Sequence, residues 1–201
     1  MDKSGSLLDI VGLQGLHFAR VDLRLHSGEL LCLYGASGSG KSQFLRALAD
    51  LEPHEGQVYL QGVEQQQMPA HVWRRKLAYL PAESGWWSAR VGAHFSRPPQ
   101  TEDLLGLGLE ESILQREVEG LSSGERQRLG LLRLLGQQPQ VILLDEPSAN
   151  LDPQSALQME GCVRAYLQTQ GAAAIWVSHD PVQRARIADR SLEMPINMQG
   201  G

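Results

Sequence analysis

Leu30-Leu31-Cys32-Leu33-Tyr34-Gly35-Ala36-Ser37-Gly38-Ser39-Gly40-Lys41-Ser42 is the stretch on which the fold turns. Leu30 to Tyr34 is an unbroken apolar run, as expected of a parallel strand covered on both faces. Gly35 to Ser42 matches G-x-x-x-x-G-K-[ST] at every fixed position. Beyond it Leu45, Leu48 and Leu51 recur at helical spacing, so the order is strand, glycine-rich turn, helix. In that setting Gly35, Ser37, Gly38, Ser39 and Gly40 form a loop whose backbone N–H groups converge on phosphate oxygens, and the helix start adds a favourable dipole. Lys41 would reach the β- and γ-phosphates, and Ser42 would ligate Mg2+.

Further along, Val141-Ile142-Leu143-Leu144 is a second apolar strand, and it delivers Asp145 and Glu146 at its end. Many strands end in an acidic residue; behind a phosphate loop the pair gains a meaning. Asp145 is placed to hold Mg2+ through water, and Glu146 to polarise an attacking water. Other segments complete an α/β pattern with a mostly parallel sheet. Val21, Leu23 and Leu25 alternate with Asp22 and Arg24, the period of a half-buried strand. Gln57 to Gln61 reads as a strand between turn residues, and Ala172 to Val177 as another buried strand. Helices are expected from Ser122 to Leu135 and after Pro153. Residues 84–120, with Pro98-Pro99, read as a loop and two or three short helices.

Composition excludes little. The 201 residues are 42% hydrophobic and 20% charged, with a net charge of −5. That balance speaks against a broad basic surface, and no nucleic-acid partner is expected. Cys32 and Cys162 lie far apart and form neither a metal cluster nor a disulfide framework. Met1 to Ser6 lacks the apolar core of a signal peptide, and no apolar run approaches the ~20 residues of a membrane helix. A soluble, cytoplasmic protein is expected, with any membrane role exercised through a partner.

Leu121-Ser122-Ser123-Gly124-Glu125 opens the helix before Asp145. Ser122 and Glu125 form an S-x-x-E capping box, which by itself means a well-capped helix. Placed between a phosphate loop and an acidic strand end, it resembles the signature loop of the ATP-binding cassette family, Leu-Ser-Gly-Gly-Gln. Ser123 stands for the first glycine and Glu125 for the glutamine. The resemblance covers about residues 7–192, with the motifs in the family's order. Arg133 matches the arginine of the following helix. Pro147 to Asp152 match the loop that crosses the dimer interface, and His179 matches the switch histidine that senses the γ-phosphate. The implied fold is a phosphate-loop nucleotide hydrolase with a mostly parallel core sheet, an N-terminal antiparallel β subdomain and a compact helical signature subdomain at about 84–135. One domain over 7–192 would be followed by a frayed tail, 193–201.

Two positions depart from the family's pattern. Aligning Leu77-Ala78-Tyr79-Leu80-Pro81 with the family's strand puts Ala82 where a glutamine usually contacts Mg2+ and the attacking water; Val91, Trp86 and Trp87 support that register. Either Glu83 substitutes for the glutamine or the contact is missing, which bears on hydrolysis rather than on nucleotide binding. The family also stacks adenine on an aromatic residue near the N-terminus. His17 takes that place here; Phe18 is the alternative, unless it belongs to the core. The pair Trp86-Trp87 is either a buried core pair or part of a groove for a short helix of a membrane subunit.

The resemblance implies ATP and Mg2+ as ligands and a transporter ATPase as the activity. Two cassettes would sandwich two ATP molecules, with Ser122, Ser123, Gly124 and Glu125 of one facing the ATP of the other and Asp152 in the interface loop. The partners implied are a second ATP-binding subunit, expected as a homodimer, and an integral membrane permease that holds the chain on the inner face of the membrane. The alternatives are a soluble cassette protein of repair or translation, and a regulatory cassette that binds ATP but hydrolyses it weakly.

Overall fold

The alternation at Val21, Leu23 and Leu25 and the apolar run at Leu30 build two different sheets. The computed structural model describes residues 5–195. The N-terminal part comprises strands β1 (Leu8–Gly15), β2 (Phe18–Leu25) and β3 (Leu30–Tyr34), helix α1 (Lys41–Leu48), strands β4 (Glu55–Leu60) and β5 (Val63–Glu64), helix α2 (Ala70–Lys76) and strand β6 (Leu77–Leu80). Helices α3 (Thr101–Gly106) and α4 (Ser123–Leu135), strand β7 (Val141–Asp145) and helix α5 (Pro153–Gln170) follow. Strand β8 (Ala173–Val177), helix α6 (Pro181–Ile187) and strand β9 (Arg190–Glu193) complete the chain.

An antiparallel sheet runs β2-β1-β4-β5, and a parallel one β6-β7-β8-β3-β9. Successive side chains of a strand point to opposite faces, so each apolar run feeds two cores. Val141 and Leu143 of β7, with Leu31 and Leu33 of β3, join a core made with α1 and the antiparallel sheet. Ile142, Leu144, Leu30 and Cys32 join a second core with α4 and α5. Coverage on both faces is why these strands carry no polar alternation.

The segment 84–120 holds α3 and three short 3-10 turns at Val91–His94, Glu111–Gln115 and Val118–Gly120. Val91, Leu104, Leu107 and Ile113 anchor it to the second core. Helices α2 and α6 and strand β9 are not among the elements expected from the sequence. Strand β9 pairs in parallel with β3, Tyr34 opposite Glu193, although its residues are mostly exposed and show no apolar run. Fraying expected from residue 193 is not seen at its start: Glu193 closes β9 and Met194 is buried, its N–H donating to the Tyr34 carbonyl at 2.7 Å. The rest of that tail, 196–201, lies outside the described residues. Among the described residues no helix is long and apolar enough to cross a membrane.

Candidate functional site

The C-terminal ends of β3, β7 and β8 converge, as ligand sites do in open parallel sheets. From β3 the chain turns through Gly35 (φ 147°), Gly38 (φ 78°) and Gly40 (φ 87°) into α1, whose N-cap is Gly40. A side chain at Gly40 would place its Cβ 2.6 Å from Phe18 Cβ, and nearer still to the His17 carbonyl oxygen. The loop therefore lies directly on the turn between β1 and β2. Lys41, at the first position of α1, is buried and donates from Nζ to the carbonyls of Gly35 at 3.1 Å and Ala36 at 3.0 Å. Burial pulls its pKa down, while the charges of Glu146 and Asp145 act in the opposite direction. Ser39 Oγ is buried with no hydrogen-bond partner. A glycine cradle, a partly desolvated cation and an orphaned hydroxyl fit a polyphosphate, whose oxygens would accept from all three.

Strand β7 brings Asp145 and Glu146 to the same edge. Asp145 is buried and accepts a hydrogen bond from the Tyr79 hydroxyl at 2.9 Å. Burial first, and then the Asp145 carboxylate, push the Tyr79 phenol well above its usual range, so it stays a donor. Tyr79 was not expected from the sequence, because only the parallel pairing of β6 with β7 brings it to Asp145. With Ser42 at the start of α1, Asp145 would offer the hard oxygen ligands that suit Mg2+, which binds through one or two protein groups plus phosphate and water. Among the described residues no cluster of three or more His, Cys, Asp or Glu forms an all-protein metal cage. Glu146 is left-handed (φ 48°), a strained conformation for a residue with a side chain. Its Oε1 lies 2.9 Å from His179 Nε2, which follows the end of β8. Both side chains remain accessible, and a cleft of 470 Å³ opens beside them between the loop after Glu146 and α6.

The signature stretch is a true capping box. Ser122 Oγ accepts from the Glu125 N–H at 3.1 Å, and Glu125 Oε2 accepts from the Ser122 N–H at 2.7 Å. Ser122 acts there as an acceptor, so its O–H stays available to donate outward. Arg116 adds a bond to Glu125 Oε1 at 2.7 Å. Burial alone would raise the Glu125 pKa, but the Ser122 N–H and the Arg116 guanidinium outweigh it, and the net shift is downward. Asp152 caps α5, its Oδ1 accepting from Gln154 and Ser155 N–H groups, both at 3.0 Å. Gly124 and Leu151 touch: a Cβ on the glycine would lie 3.0 Å from Leu151 Cδ2. The signature and the loop after Glu146 are thus packed together, with Ser123 beginning α4.

The remaining expected site residues flank this edge. Ala82 and Glu83 are both exposed in the turn after β6, and among the described residues Glu83 has no hydrogen-bond or ion-pair partner. The turn is fixed by its neighbours: Gln127 Nε2 donates to the Pro81 carbonyl at 3.1 Å. Phe18 is 2% exposed and packs edge-on against Phe44, centroids 5.6 Å apart. It is a core residue, whereas His17 is exposed. The tryptophans divide. Trp86 is half-buried, while Trp87 is 71% exposed; Arg133 lies 4.8 Å over each ring, and His94 packs against both.

A strand, glycine loop and helix facing a carboxylate pair and a histidine define a phosphate-loop α/β protein. The chain belongs to the ABC transporter family, whose model matches residues 18–149. Among relatives, the putrescine transport ATP-binding protein PotG of Escherichia coli is 33% identical over 182 residues, covering 85% of this chain and 48% of that protein. The molybdenum import ATP-binding protein ModC of Bordetella pertussis is 34% identical over 190 residues, 84% of this chain and 50% of that one. The chain thus spans about half the length of these curated relatives. In structure it resembles cbiO1 of Clostridium perfringens, part of the ABC transporter complex cbiONQ, with a TM-score of 0.78 at 20% identity over 95% of this chain and 85% of that one. A bacterial Atm1-family ABC exporter with ATP bound gives a TM-score of 0.81 at 18% identity over 97% of this chain and 38% of that one.

Proposed function

We propose that residues 7–192 form one cassette domain that hydrolyses Mg-ATP and couples it to transport through a membrane permease, working as a nucleotide-sandwich homodimer. The observation that carries this reading is the Glu146–His179 contact of 2.9 Å at the sheet edge that also bears Lys41 and the glycine loop. Mg-ATP would supply the electrophilic γ-phosphorus and a metal that neutralises charge on the phosphates. The chain's own groups do the rest. Gly35 to Gly40 and Lys41 bind and orient the phosphates, and Ser42 and Asp145 hold the metal. Glu146 Oε1 accepts the proton of the attacking water, and His179 Nε2 steadies that carboxylate. His17 offers its ring to the base.

Only one phosphate loop and one signature occur in the chain. Ser122 with its free O–H, and the start of α4 at Ser123 and Gly124, therefore supply donors to the ATP of a second copy, with Asp152 shaping the loop between them. Exposed Trp87, braced by Arg133 and His94, is the proposed contact for the permease at the inner face of the membrane. A second reading, a weakly hydrolysing regulatory cassette, draws on the exposed Ala82 and unpartnered Glu83. Light scattering on Glu146→Gln tests the sandwich. A shift from monomer to dimer on adding Mg-ATP is expected; a monomer with and without nucleotide contradicts it.

A further inference from the structure

Behind the Glu146–His179 contact lies a hydrogen-bonded network that no motif in the sequence marks. Gln183, on α6, is its centre. Its Oε1 accepts from Ser178 Oγ at 2.7 Å, and its Nε2 donates to Ser148 Oγ at 2.8 Å and to Glu160 Oε1 at 2.7 Å. Glu160, on α5, is held in turn by Arg186, from Nε to Oε2 at 2.8 Å and from Nη2 to Oε1 at 2.8 Å. Gln183 and Glu160 are each only 7% exposed. Ser148 stands two residues after Glu146, and Ser178 directly before His179. One buried amide therefore bridges the two loops that carry the contact.

We infer that Gln183, braced by Glu160 and Arg186, is a positioning residue that sets the Glu146–His179 geometry by tying Ser148 to Ser178. The inference rests on the reading of that contact as the hydrolytic centre. A primary amide offers one acceptor oxygen and two N–H donors. Here the oxygen takes Ser178, and the two donors serve Ser148 and Glu160. An apolar side chain of similar size fills the space but bridges nothing, and it leaves Ser148 and Ser178 untied while Glu160 keeps only its bonds from Arg186. None of these bonds touches the phosphate loop, so the effect falls on turnover and not on nucleotide affinity.

The test uses the full chain, with steady-state Mg-ATP hydrolysis and an ATP titration on wild type, Gln183→Leu and Gln183→Glu. Gln183→Leu should lower kcat about 10-fold, the scale of a misplaced reacting group, with KM and the ATP dissociation constant unchanged. Gln183→Glu sets two carboxylates against each other and should be at least as slow. A fall in kcat at unchanged KM and ATP affinity separates a positioning role from a general loss of packing. Wild-type kcat in Gln183→Leu, or a fall in kcat accompanied by an equal rise in the ATP dissociation constant, overturns the inference. If Gln183→Leu does not fold, Ser148→Ala decides. It cuts one bond at the network's rim, and kcat should fall about threefold, the size of one modest hydrogen bond, with Tm lowered by no more than ~3 °C; an unchanged kcat overturns the role. A wild-type chain that hydrolyses no ATP refutes the ATPase reading itself, and Gln183 loses its assigned role with it.

Discussion

Replacing Gly40 by alanine should destabilise the protein and its nucleotide site together. Gly40 has φ 87°, a left-handed conformation, and its added Cβ would sit 2.6 Å from Phe18 Cβ and closer to the His17 carbonyl oxygen. The conformation alone costs a residue with a side chain ~1–3 kcal/mol. Forcing a carbon into a packed contact costs a further ~1–3 kcal/mol. The sum, ~2–6 kcal/mol, is a large part of the ~5–15 kcal/mol that separates folded from unfolded domains. For a chain of this size it corresponds to a Tm lowered by ~5–20 °C. Relief by displacing the loop from the His17–Phe18 turn would misplace the N–H groups of the cradle and weaken ATP binding. Gly28→Ala is the matched control: φ is 79°, yet nothing lies within 4 Å of its Cβ. It pays the strain without the clash. Thermal melts by circular dichroism and calorimetric ATP titrations compare the two. Equal melting temperatures for the two variants, with ATP affinity intact in Gly40→Ala, would refute the reasoning.

Two further outcomes follow from charge and exposure. The folded pKa of Glu125 is lowered below its ordinary 4.5, so its stabilisation is present above that pH and is lost as pH falls through the folded value. Glu125→Gln should therefore lower Tm by ~2–4 °C at neutral pH, for a loss of about 1 kcal/mol, and the gap from wild type should close on the acid side of 4.5; a gap independent of pH contradicts the assignment. Because Glu83 is exposed and unpartnered, Glu83→Ala should leave ATP turnover near wild type across a Mg2+ titration, while Ala82→Gln raises it; a 10-fold loss, on the scale of a removed positioning contact, would instead make Glu83 the substitute for the glutamine.

Much of the fold was legible because its two central signals are short-range. A run such as Val141 to Leu144 is apolar at every position only when both faces are covered, and Gly35, Gly38 and Gly40 all have positive φ, with a Cβ also colliding at Gly40. Ser122 and Glu125 read as a capping box and form one. Strand β9 was not legible, since Arg190 to Glu193 follow no apolar period and are held by pairing with β3 and by Arg190 on Glu29, at 2.9 Å. Helix α6 carried a signal that went unused: Asp180 as N-cap and Pro181 at the first helical position, the same device that Asp152 and Pro153 use for α5. Within the candidate site, the residues supplied by local motifs could be named in advance. Tyr79, Gln183 and Glu160 could not, because their partners Asp145, Ser148 and Arg186 lie 66, 35 and 26 positions away and only the tertiary fold brings them together.

Phosphate release by the purified chain addresses the hydrolytic role of Glu146 most directly. Wild type and Glu146→Gln are mixed with saturating Mg-ATP and followed to steady state, with ATP affinity measured in parallel. Glutamine keeps the shape of Glu146 but cannot take a proton from water. The expected result is steady release by wild type and almost none by Glu146→Gln, at equal ATP affinity. Release by Glu146→Gln at the wild-type rate would contradict it.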